Sequence, residues 1–136
     1  MERHIYKSLK SWKDSPNRKP LILQGARQVG KTYILKEFGK REYDDVVYIN
    51  CDDNDDMKDM FSDYDIKRII RTLSAISGIS IKPSSTLIIL DEIQEINRGL
   101  SSLKYFCEKA PEYHIAVAGS LLGITLHEGT SFPVGK

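Results

Sequence analysis

Excess charge of either sign is missing: 20 Lys and Arg residues oppose 19 Asp and Glu over 136 residues. That balance excludes a global basic field drawing the chain to nucleic acid or an anionic membrane, and leaves only local patches to consider. Cysteine is scarce. Cys51 and Cys107 lie far apart, without CxxC spacing, each just after an apolar stretch. This predicts buried reduced thiols rather than a disulfide or metal pair, and so a cytoplasmic setting. No apolar run approaches the length of a bilayer span, and the opening MERHIYKSLKSWKD has no continuous apolar stretch of the signal-peptide kind. A soluble chain is expected, without membrane contact. Internal repeats and low-complexity linkers are absent too, and the length suits one domain or part of one.

What is present is an alternation of apolar runs and helical patterns. Ile5, Leu9 and Trp12 recur at helical spacing with lysines between them, and Pro16 ends that pattern, so residues 1–19 read as a lead-in helix and turn before a core over 20–136. LILQ is a short apolar run that enters a glycine-rich turn. YILKEFG then places Ile34, Leu35 and Phe38 on one helical face, with Gly39 expected as the stop. VVYIN is a second strand. DIKRIIRTLSAISG is a helix capped by Asp65, striped by Ile66, Ile69, Ile70, Leu73 and Ile76, and ended by Gly78. TLIILDE, the helical GLSSLKYFCEKA and the strand HIAVAGS complete the series. Strands alternating with helices predict a three-layer α/β fold with a mostly parallel sheet.

The turn after LILQ carries the clearest chemistry. Gly25-x-x-x-x-Gly30-Lys31-Thr32 is the P-loop pattern, in which backbone N–H groups curl round phosphate oxygens at the start of a helix whose dipole favours anions. Gly25 and Gly30 let the backbone approach. Lys31 can set a point charge at the β- and γ-phosphates, and the Thr32 hydroxyl can ligand Mg²⁺. Gly25, Ala26, Arg27, Gln28, Val29, Gly30, Lys31 and Thr32, with Tyr33 behind them, are the expected nucleotide cradle.

TLIILDEIQ ends an apolar strand on two acids, at the sheet edge where parallel α/β folds hold their ligands. Asp91 fits the role of holding the Mg²⁺ shell opposite Thr32, and Glu92 that of general base for an attacking water. The second carboxylate favours a hydrolytic ATPase over a switch GTPase or small-molecule kinase. Ser120, at the end of HIAVAGS, stands where a polar side chain could sense the γ-phosphate, or simply cap a turn.

Other constellations fail on chemistry. CDDNDDMKDMFSD has Asp52, Asn54, Asp56 and Asp63 near calcium-loop spacing, but Met57 stands where glycine is required, so a solvated acidic loop is expected. His4, His114 and His127 share no metal-ligand spacing. Arg27 and Arg98 read as surface residues rather than assigned arginine fingers.

With GARQVGKT, LIILDEIQ, SSLKYFCEKAPEYH and AGSLLG in this order, nearly the whole chain resembles the prokaryotic AAA-type ATPases that carry a C-terminal domain of unknown function. The resemblance implies the additional-strand type of P-loop NTPase fold with sheet order 5-1-4-3-2, ATP and Mg²⁺ as ligands, and the roles given above for Lys31, Thr32, Asp91, Glu92 and Ser120. Family members are much longer, so the chain reads as an N-terminal part of one AAA-type domain, truncated before the fifth strand, with the P-loop strand left as a bare edge. The function expected is Mg²⁺-dependent ATP hydrolysis coupled to movement of a protein partner or a C-terminal domain. The alternatives are a nucleotide-dependent binding switch that turns over negligibly, or a motor or loader acting on nucleic acid, for which the near-neutral charge gives no support. Oligomeric state is not legible.

Overall fold

The computed structural model describes residues 2–15, 21–25, 29–52, 65–93, 99–120 and 134–135. In chain order the elements are α1 (Glu2–Asp14), β1 (Leu21–Gly25), α2 (Val29–Glu42), β2 (Asp45–Asn50), α3 (Ile66–Ser77), β3 (Thr86–Asp91), α4 (Gly99–Lys109), β4 (His114–Ser120) and β5 (Val134–Gly135). The strands pair in parallel in the order β2-β3-β4-β1-β5. This is the 5-1-4-3-2 order of an additional-strand P-loop fold. One expectation is corrected: the sheet does have a fifth strand. Val134 and Gly135 pair with Ile22 and Leu23, so β1 is covered there rather than bare. Two paired residues are too few to show as a strand through hydrophobic alternation, which needs at least four.

The central strand explains the layers. Leu87 to Leu90 of β3 are all fully buried, as a strand covered on both faces requires, and their side chains divide by the period of two. Ile88 and Leu90 join Val47, Ile49, Ile115 and Val117 under Ile69 and Leu73 of α3 and Leu103 and Phe106 of α4. Leu87 and Ile89 join Ala116 and Ala118 under Leu35 and Phe38 of α2 and Leu9 and Trp12 of α1. Helices α1 and α2 therefore cover one face, and α3 and α4 the other. Burying each large apolar side chain contributes roughly 1.5–3 kcal/mol, so these two clusters supply most of the driving force for the three-layer arrangement.

Helix α3 follows the pattern read from its sequence. The Asp65 carboxylate accepts from the backbone N–H of Arg68 at 3.2 Å. Gly78 closes the helix in the left-handed region, φ 75°, its N–H donating to the Ser74 carbonyl. Helix α2 departs from expectation. Gly39 does not stop it; the helix runs on to Glu42. A Cβ at Gly39 would meet Val46 Cγ2 at 2.5 Å and Leu87 Cδ2 at 3.1 Å, so the glycine serves close packing of α2 on β2 and β3. At the N-terminal end of β4, His114 is buried and hydrogen-bonded to Tyr43 at 2.6 Å, with Trp12 edge-on to its ring. Both cysteines are buried thiols, with no disulfide between them. No described helix is long and apolar enough to cross a membrane.

Candidate nucleotide-binding site

Strand β1 ends at Gly25 and helix α2 begins at Val29. Ala26, Arg27 and Gln28 lie outside the described residues, as do 53–64 of the acidic loop and Arg98. Gly30, Lys31 and Thr32 occupy the first turn of α2, and no acidic residue stands in that turn. Its first N–H groups have no carbonyl of their own helix to bond, and together with the positive end of the helix dipole they favour an anion. Lys40 and Arg41 in the last turn complement the opposite end. Tyr33 follows with its side chain 57% exposed.

The parallel register brings the strand ends together. Gly25 stands opposite Ser120, and Asn50 opposite Asp91. Asp91 closes β3 in the same alternation as Leu87 and Ile89, and therefore belongs to the face covered by α2. Both of its carboxylate oxygens are held. Tyr48 Oη donates to Oδ2 at 2.6 Å, and the Glu92 backbone N–H donates to Oδ1 at 2.9 Å. The Asp91 carbonyl accepts the Cys51 N–H at 2.9 Å, locking β2 to β3 at this level. Glu92 does not continue the strand, as the run TLIILDE suggests it should. It turns off with φ 56°, which leaves it 7% exposed beside Asp91.

A ladder of contacts along α2 fixes its height over the sheet. Gly39 packs against Val46, and one turn earlier the Lys36 Nζ sits 3.9 Å from the centre of the Tyr48 ring. The next turn toward the helix N-terminus reaches position 32, on the same face as Lys36. Four helical residues rise about 6 Å and two strand residues about 6.6 Å, so the step from Lys36 to position 32 matches the step from Tyr48 to Asn50 and Asp91. The two contacts show α2 running opposite to β2, so its first turn lies toward the C-terminal edge of the sheet, where Asp91 ends β3. Positions 32 and 91 are paired by their motifs in the sequence, whereas Tyr48 and Lys36 belong to no motif and were missed. The available signal was a phenol two residues before the end of an apolar strand.

A family model described as an AAA domain matches residues 17–136, most of the chain. The chain belongs to the AAA domain family. This AAA domain is accordingly a P-loop NTPase domain of the ATP-binding kind. Among solved structures, the Thermotoga maritima RuvB Holliday junction branch migration motor is similar at 15% identity and a TM-score of 0.46, with 87% of this chain and 37% of that chain covered. A mutant RuvB from the same organism gives 14% identity and a TM-score of 0.46, over 87% and 38% of the two chains. The AAA domain therefore spans well under half the length of those structures. No match was found among curated proteins.

Proposed function

We propose that the chain binds Mg²⁺-ATP and hydrolyses it, with the change on γ-phosphate release passed to a protein partner or a C-terminal domain. The observation that carries this reading is that the start of α2 and the held carboxylate of Asp91 both lie toward one edge of the sheet. In this reading residues 25–32 cradle the phosphates, Lys31 neutralises charge at the β- and γ-positions, and Tyr33 borders the cradle. A carboxylate and a hydroxyl are hard oxygen donors of the type Mg²⁺ takes one or two at a time, with phosphate and water completing the shell. Asp91 and Thr32 are those donors. Bound there, the ion supplies charge neutralisation across the phosphates.

Glu92 is the general base. Its place directly after Asp91, at the sheet edge where α2 begins, supports that role, since a general base must stand within reach of the water it activates. Its left-handed backbone supports it too, because such strain concentrates at functional positions. Ser120, opposite Gly25, is assigned to sensing the γ-phosphate. The buried, unbridged thiols fit a reducing, cytoplasmic setting.

Glu92→Gln tests the hydrolytic half of the reading. Turnover should fall by roughly 10²–10⁴ while ATP affinity stays near wild type, the scale of a lost general base. Unchanged turnover, or none in the wild type despite tight binding, would instead support the nucleotide-dependent binding switch.

A further inference from the structure

The hydroxyl of Tyr48 has no place in the roles assigned so far, yet it donates to the proposed magnesium carboxylate at 2.6 Å. Tyr48 is partly buried, packed against the α2 face of the sheet with its hydroxyl directed to Asp91. The bond to Asp91 is short, at 2.6 Å. The other face of the contact is also built. Lys36 from α2 places its ammonium 3.9 Å from the ring centre, where a cation is attracted to the π-cloud and draws density from the phenol, strengthening its O–H as a donor. The result is a relay from the P-loop helix, through an aromatic ring on β2, to the carboxylate on β3.

We propose that Tyr48 is a positioning residue for Asp91, and that Lys36 acts through Tyr48 to couple the setting of that carboxylate to the P-loop helix. The inference rests on the reading of Asp91 as the magnesium-shell carboxylate. With Oδ2 held by Tyr48 and Oδ1 by the Glu92 N–H, the carboxylate plane is fixed before any cation arrives. A carboxylate held in this way would meet a hydrated ion without a rotamer search. Groups that orient a metal-binding carboxylate in this way typically set metal affinity as strongly as a weak ligand does.

The test uses the full chain and two probes, ATP in EDTA and ATP with titrated Mg²⁺, read by thermal shift and calorimetry. Tyr48→Phe keeps the ring and the packing and removes only the donor. It should raise the Mg²⁺ concentration giving half-maximal stabilisation by ATP roughly tenfold, the low end for loss of an orienting partner, while ATP affinity in EDTA stays within about twofold of wild type. Lys36→Met keeps the hydroxyl and removes the cation, and should move the Mg²⁺ requirement in the same direction by about two- to fivefold. Asp91→Asn is the reference. If it raises the Mg²⁺ requirement while Tyr48→Phe and Lys36→Met leave it unmoved, the positioning role is overturned and the magnesium reading stands. If Asp91→Asn leaves the requirement unmoved, that reading fails and the positioning role fails with it. An equal loss of ATP affinity in EDTA and in Mg²⁺ on Tyr48→Phe would mark a packing role only, and would also overturn the proposal.

Discussion

Gly78 and Glu92 both adopt left-handed backbone, φ 75° and 56°, and the chemistry separates them. Gly78 ends α3, and an added Cβ there would meet nothing within 4 Å, so any cost of a side chain is conformational alone. Gly78→Ala should destabilise the fold by about 1 kcal/mol, measured as a shifted urea midpoint at constant slope. An unshifted midpoint would show that the helix end relaxes freely. Glu92 bears the same kind of strain with a full side chain, and holds it through its N–H bond to Asp91. The position of Asp91 and Glu92 at the end of a buried strand was legible because two acids end an apolar run. The turn at Glu92 and the phenol at Tyr48 were not. A backbone torsion leaves no periodic trace, and Tyr48 meets Asp91 only through the register of β2 on β3, which joins residues 43 positions apart.

Among the elements, α2 does most to assemble the candidate site, because its height over the sheet sets what its first turn faces. That height depends on Gly39. With Val46 Cγ2 2.5 Å from where an added methyl would sit, Gly39→Ala requires the Val46 side chain or α2 to shift and should cost about 1–3 kcal/mol in chemical denaturation. Pairing it with Val46→Ala should recover part of that loss, a non-additivity that a double-mutant cycle measures. Additive losses would contradict the close-packing account. The sequence suggested instead that Gly39 ends the helix, a common use of glycine after an apolar stripe. The tertiary contact that prefers glycine there comes from β2 and β3, and no local pattern reports it.

At the scale of the whole chain, strand–helix alternation and the placing of motifs at strand ends were enough to anticipate a parallel three-layer sheet with the motif residues Gly25, Asp91 and Ser120 at the C-terminal ends of its strands. The fifth strand escaped, because its pairing is backbone hydrogen bonding over two residues rather than a buried apolar run. The central claim is that this edge holds Mg²⁺-ATP through the turn between β1 and α2. Calorimetric titration of Mg²⁺-ATP into the wild-type and Lys31→Ala chains tests it most directly. Saturable binding by the wild type, weakened roughly 10- to 150-fold in Lys31→Ala as expected for a lost charged hydrogen bond of about 1.5–3 kcal/mol, is the predicted result. Equal affinities in the two chains would contradict it.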